Sequence, residues 1–379
     1  MKIERGSKVL LLTGQLFQWA GSELVIFELA EECMRRGASV TVHASYSEPD
    51  FCANFHTIGA HFEPDREAIS LRDFDVVYCQ HQIITCFLDQ LLDIPAAKLP
   101  LIVYGHLSPF AAIEFPGPQI ESLFGDAFLC NSQETMSKMR ELGLDHTRLR
   151  LMPNPAPDAF FAVPVNERML SRILVVSNHL PDEVRSSFKL LEADGVMVTF
   201  VGLHGTRVRV TPELIAEHDA IISIGKTVQY ALAAKRPVYV YDHFGGPGWL
   251  SEGNFTKAAE HNFSGRCCNR KITAEILKDE IRSGFDTAVA DLDRLSNRIE
   301  EFRLSTWFKN FFDNIDTSKS PRRTAIDLFD AETLLALWRE FHMFTQSSQT
   351  RAELFRVMHY IHNTLHHRIY RKVMQWLGR

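Results

Sequence analysis

The chain has 379 residues, 45% of them hydrophobic and 23% charged, and a net charge of −6. That length exceeds one ordinary core and suits two domains with an appendage. The mild negative charge gives no global pull toward nucleic acid, and no segment reaches the ~20 apolar residues that a membrane span needs.

In chain order, the polar stretch Met1–Lys8 and the short apolar run Val9–Leu12 predict no secretory signal. VLLLT (Val9–Thr13) reads as a buried strand ending at Gly14. Gly21, Ser22 and Glu23 then open a helix with apolar residues at helical spacing, which Gly37 stops. Glu23 is read as a first-turn charge complementing the helix dipole. SVTVHA (39–44), DVVYC (75–79), PLIVYG (100–105) and DAFLCNS (126–132) are further strands. Short continuous apolar strands alternating with helices predict a parallel sheet covered on both faces. The proline-rich MPNPAPDAFF (152–161) is the expected linker. Beyond it RILVVSN (172–178), VMVTFVG (196–202), AIISI (220–224) and PVYVYD (237–242) supply a second parallel sheet. The fold class expected is therefore α/β: two doubly wound, Rossmann-like domains facing a cleft, over residues 1–155 and 165–320, with a helical extension over 327–379. Residues 351–379 carry six Lys/Arg against one Glu. They read either as a helix packed on the body with a solvated basic face or as one lying on an anionic membrane surface. The seven Cys are odd in number, fit no zinc spacing and are read as reduced thiols in a cytoplasmic protein.

The densest chemistry lies in SIGKTVQYALAAKRPVYVYDHFGGPGW (223–249). Gly225, Lys226 and Thr227 stand where a strand turns into a helix, and helix N-terminal N–H groups with a lysine and a hydroxyl suit phosphate oxygens. A triphosphate-binding loop needs a glycine five residues before Gly225, where Ala220 stands, so that assignment is rejected. A Gly-Lys turn without a ligand stays open. In FGGPGW, Gly245, Gly246 and Gly248 allow close backbone approach to a ligand, and Trp249 is placed either on a base or sugar ring or in the core.

Four segments, GSELVIFELAEECMRRGASVTV, IVYGH, LRLMPNPAPDAF and YALAAKRPVYVYD, resemble in order the landmarks of glycosyltransferases of the two-domain GT-B fold. The nearest likeness is to the family 4 retaining enzymes that use nucleotide-sugars, over roughly residues 8–300. The family's paired glutamates are absent, since Ile222 and Tyr230 stand at their positions, and SNHLP (177–181) stands where its diphosphate-binding Arg and Lys are usual. The resemblance implies a transfer from a nucleotide-sugar to a glycan or lipid-linked acceptor in bacterial surface polysaccharide synthesis. The thiols and the absence of a signal lead to the expectation of a cytoplasmic enzyme, peripheral at the inner membrane face if the basic C-terminal helices dock there.

On this basis His106, ending IVYGH, is expected to organise the reacting face, and Lys226 to offset the charge of the leaving diphosphate; each has a plain structural alternative. Gly21, Asn178, Gly225, Thr227, Gly245, Gly246, Trp249, Asn254 and Arg266 are the expected donor-binding residues. His179 and His243 are weaker candidates. No Asp-x-Asp motif ends a strand, so no obligatory metal is expected, nor any cofactor beyond the sugar nucleotide, nor a nucleic-acid partner. A non-catalytic sugar-nucleotide-binding subunit and a sugar-nucleotide epimerase are the competing classes.

Overall fold

The computed structural model of the chain describes residues 2–111, 114, 118–165, 169–203 and 205–315; the expected extension over 327–379 lies outside the described residues. The first half runs β1 (Lys8–Leu16), α1 (Gly21–Arg35), β2 (Ser39–Ser47), α2 (Pro49–Thr57), β3 (His61–Phe62), β4 (Val76–Gln80), α3 (Leu88–Asp93), β5 (Leu101–His106), α4 (Pro118–Phe124), β6 (Ala127–Cys130), α5 (Gln133–Glu141) and β7 (Leu149–Leu151). The second runs α6 (Asp158–Phe161), β8 (Arg172–Val176), α7 (Asp182–Ala193), β9 (Met197–Val201), α8 (Pro212–Ala216), β10 (Ala220–Ser223), α9 (Lys226–Ala233), β11 (Val238–Asp242), β12 (Gly245–Trp249), α10 (Glu252–Glu260), α11 (Ala274–Arg294), α12 (Ser296–Glu300) and α13 (Leu304–Asn314).

The first sheet has seven parallel strands in the order β3-β2-β1-β4-β5-β6-β7, and the second five in the order β12-β11-β10-β8-β9. Side chains alternate across each strand. Val9 and Leu11 enter a core with Val25 and Ile26 of α1, while Leu10 and Leu12 enter another with Ile102 and Phe128. In β8, Leu174 faces one core and Ile173 and Val175 the other. Two-sided burial is why these strands read as unbroken apolar runs, and each such side chain contributes about 1.5–3 kcal/mol.

Both sheets reverse their direction of growth, between β1 and β4 in the first and between β8 and β10 in the second. Crevices at such switch points lie outside the carboxyl ends of the strands. Here β4 ends at Gln80 in one half, and in the other β10 ends at Ser223 and Ser177 follows β8.

Two sequence expectations change. FGGPGW is not a loop: Gly245–Trp249 forms β12, an edge strand antiparallel to β11. A Cβ on Gly245, at φ +94°, would lie 2.0 Å from the Arg270 carbonyl oxygen, and one on Gly246 2.0 Å from that of Val240. These glycines let the edge strand fit between its neighbours. Helix α13, placed by sequence in the second domain, folds back on the first sheet: Phe308 and Phe312 join the core of Leu11 and Val25, and the Arg36 guanidinium lies 4.6 Å from the Phe308 ring centre.

Candidate functional site

A cleft of about 830 Å³ separates the carboxyl ends of the two sheets. Gly21 and Ser22, the first turn of α1, line it from one side, and Gly225, Lys226 and Thr227, the start of α9, from the other. The first N–H groups of a helix have no intrahelical acceptor and carry its positive dipole end. Neither of these two termini has a side-chain cap, as is also true of α2, α3, α6, α7, α12 and α13, whereas Ser132, Thr211, Ser251 and Thr273 close α5, α8, α10 and α11. Two uncapped helix starts therefore converge on one cavity, an arrangement suited to an anion. Gly225 holds φ 58°, ψ −139°, a backbone state that L side chains avoid.

Lys226 lines the cleft but its ammonium is engaged elsewhere. Nζ lies 2.6 Å from Glu28 Oε2 of α1 and donates to the Pro155 carbonyl at 3.0 Å. The Tyr230 hydroxyl donates to the other oxygen of Glu28, and its ring stacks on Phe160 at 4.2 Å. Gln229 Nε2 donates to Pro153 O at 3.0 Å. Helix α9 thus grips both the linker and the opposite half of the protein. Burial holds the Glu28 carboxyl above its ordinary range against the opposing charge of Lys226. The sequence places Lys226 on a diphosphate; in the structure its ammonium sits on the buried Glu28 carboxylate.

A second polar group sits under the first half's wall. Glu23 is fully buried, accepting from Ser22 Oγ at 2.7 Å and Gln15 Nε2 at 3.4 Å, and burial pushes its carboxyl up to about 7. His81 follows β4 in a left-handed conformation, φ 61°. Its Nδ1 accepts from Gly14 N at 3.3 Å, which assigns the proton to Nε2, and Nε2 lies 3.2 Å from Glu114 Oε1. Glu114 Oε2 accepts from Leu107 N at 2.9 Å, and Glu114 itself lines the cleft.

His106 lies behind this wall rather than on it. Its Nδ1 bonds the Glu114 carbonyl at 2.9 Å and Nε2 lies 3.1 Å from Glu121 Oε2. Burial alone lowers the imidazole's pKa, but the Glu121 carboxylate beside it outweighs burial and the net shift is upward. His106 is therefore joined to the cleft wall through the Glu114 carbonyl. Asn178, His179 and His243 line the cavity with Gly21, Gly225 and Thr227. The remaining expected donor residues have structural duties away from it. Trp249 Nε1 donates to Glu280 O at 3.0 Å and its ring packs edge-on to Tyr239. Asn254 closes the capping box of α10 with Ser251. Arg266 forms a forked pair with Glu134, 132 residues away. Glu28, His81, Glu114 and Arg207 were missed by sequence reasoning. His81 had a signal, a histidine directly after an apolar strand, as in IVYGH. Among the described residues no group of three or more His, Cys, Asp or Glu is placed to hold a metal ion, and no helix is long and apolar enough to cross a membrane.

Two doubly wound sheets facing a cleft across a proline-rich linker define the GT-B fold. Among solved structures the chain is similar to Anabaena Alr3699/HepE in complex with UDP and glucose, with TM-score 0.52 and 12% identity over 80% of this chain and 99% of that one. It is similar also to the same Anabaena protein in complex with UDP, with TM-score 0.50 and 12% identity over 87% and 100% of the two chains. At that identity the likeness is one of fold. No protein-family profile matches the chain, and no curated protein matches it in sequence.

Two predictions follow from the buried carboxylates. Lys226→Met leaves Glu28 buried without its cation and should cost about 3–5 kcal/mol; adding Glu28→Gln should recover a large part of that loss in a denaturant double-mutant cycle. Simple additivity of the two losses would contradict the pairing. Glu23 binds its proton more tightly folded than unfolded, so its contribution is present at low pH and is lost as pH rises from 4.5 through about 7. Glu23→Gln removes this dependence. Its stability relative to wild type should therefore rise by on the order of 2 kcal/mol between pH 5 and pH 8 in urea titrations, and a constant difference would refute the buried, proton-binding state.

Proposed function

We propose that the protein is a glycosyltransferase that moves a sugar from a nucleotide-sugar donor to a glycan or lipid-linked acceptor. The observation that carries this reading is the convergence of two uncapped helix N-termini, α1 and α9, on a single interdomain cleft. A diphosphate is the part of such a donor that this arrangement suits. The fold-level similarity to a protein solved with UDP and glucose supports the same class of donor.

In this proposal the N–H groups of Gly225 to Thr227 and the Thr227 hydroxyl hold the diphosphate, and Gly21 leaves room for it opposite. Asn178, at the end of β8, meets the nucleotide half. Glu114, oriented by His81 and by Leu107 N–H, faces the transferred sugar, and His106 supports the loop that carries it. As the C1–O bond lengthens, its electron pair passes to a phosphate oxygen. Preorganised N–H donors stabilise that charge without reorganisation, an effect worth roughly 3–4 kcal/mol per donor where measured. The acceptor hydroxyl bonds to C1 and its proton passes to the departing phosphate. Retention at C1 follows from the family 4 resemblance. A role in surface polysaccharide synthesis at the inner membrane face belongs to the same proposal.

The test uses Gly21→Leu. A Cβ at Gly21 meets nothing within 4 Å, so the fold accommodates the side chain while the cleft loses space. Wild type should release nucleoside diphosphate from one class among UDP-, GDP- and dTDP-sugars, and Gly21→Leu should be slowed at least ~10-fold at unchanged Tm. Nucleotide binding with no release from any donor would favour a non-catalytic subunit. Conversion of the donor alone into an epimer would favour an epimerase.

A further inference from the structure

With Lys226 committed to Glu28, the cleft still needs a cation. A bound diphosphate brings at least two negative charges into a cavity whose walls already present Asp50, Glu114 and Asp242. Among the described residues lining it, the Lys and Arg side chains are Lys226 and Arg207. Arg207 is solvent-exposed. Its Nε and Nη2 donate to the Leu203 carbonyl at 3.3 and 3.2 Å, and no carboxylate pairs with it among the described residues.

The segment that carries Arg207 is anchored at both ends. At its root Gly202 N donates to Thr206 O at 3.1 Å and Thr206 N to Phe200 O at 3.2 Å. Gly202 holds φ +146°, and a Cβ there would lie 1.9 Å from the Ser177 carbonyl oxygen, so the root packs directly on the turn that supplies Ser177 and Asn178. Two residues past Arg207, Arg209 makes a forked pair with Glu31 of α1 at 2.7 and 3.1 Å. The same guanidinium lies 4.5 Å from the Phe27 ring centre. The strap therefore starts on the second half of the protein and is fastened to the first, with Arg207 over the cavity between.

We propose that Arg207 is the cation that binds the diphosphate of the donor and offsets its charge as the sugar leaves. This rests on the nucleotide-sugar reading above and names the group that replaces the Arg and Lys absent from SNHLP. The planar guanidinium offers two parallel N–H donors to one phosphate, and moving to it gives up two long bonds to a single carbonyl. Arg207 forms no covalent bond in this role; the C1–O bond breaks, the acceptor oxygen takes its place, and the acceptor proton ends on the phosphate that Arg207 holds.

The test is calorimetric titration of wild type, Arg207→Met and Arg207→Lys with UDP, GDP, ADP and dTDP and with the matching nucleosides. For the diphosphate that wild type binds, Arg207→Met should weaken binding about 10- to 100-fold. Nucleoside binding and Tm should stay unchanged, and Arg207→Lys should recover part of the loss. Diphosphate binding by Arg207→Met equal to wild type, or an equal loss for nucleoside and diphosphate, would overturn the role of Arg207 and leave the nucleotide-sugar reading standing. A wild-type protein that binds none of the four diphosphates would take both down.

Discussion

The contact on which the rest of the structure depends is the buried cluster of Glu28, Lys226 and Tyr230 between the two halves of the protein. A carboxylate this far from water is costly alone. It is tolerated because one oxygen faces the Lys226 ammonium and the other accepts from the Tyr230 hydroxyl. All three groups sit on α1 and α9, so satisfying the charge brings the starts of those helices to the same cavity. Lys226 and Gln229 also hold the carbonyls of Pro155 and Pro153. Proline has no N–H to offer, and its carbonyls become the anchor points of the linker.

The two halves meet with a consistent polarity. Glu28, Glu31 and Glu134 belong to the first, and Lys226, Arg209 and Arg266 to the second. These pairs differ in weight. The Lys226 pair is almost fully buried and its loss strands a charge. The Arg209 and Arg266 pairs are partly exposed, where salt bridges contribute little individually, and they act more as positional restraints. Besides these pairs the cleft presents the helix starts of α1 and α9, the turns around Ser177 and Ser223, and the Arg207 guanidinium, which donates to the Leu203 carbonyl.

Much of the fold was legible because two-sided burial writes itself into the sequence as short apolar runs. VLLLT, DVVYC, RILVVSN and AIISI fall on β1, β4, β8 and β10. The two-residue β3 and three-residue β7 are too short to leave such a run. FGGPGW was misread because its glycines serve backbone packing against Arg270 and Val240, partners that no local pattern announces. Of the residues that line the cleft, Gly21, Asn178, Gly225 and Thr227 were expected from strand-end and helix-start positions. Lys226 was found for its place, but its partner stands on another helix and is invisible to local reading. Glu134 and Arg266 are likewise joined only by the fold. Glu23 looked like an ordinary first-turn charge, and only its complete burial separates it from one.

The most direct measurement is a crystal structure of the protein with the bound nucleoside diphosphate of its donor. The account predicts the diphosphate oxygens within about 3 Å of the N–H groups of Gly225 to Thr227, with the Lys226 ammonium still on Glu28. A Lys226 that has left Glu28 for the phosphate, or a nucleotide bound outside the cleft, would contradict it.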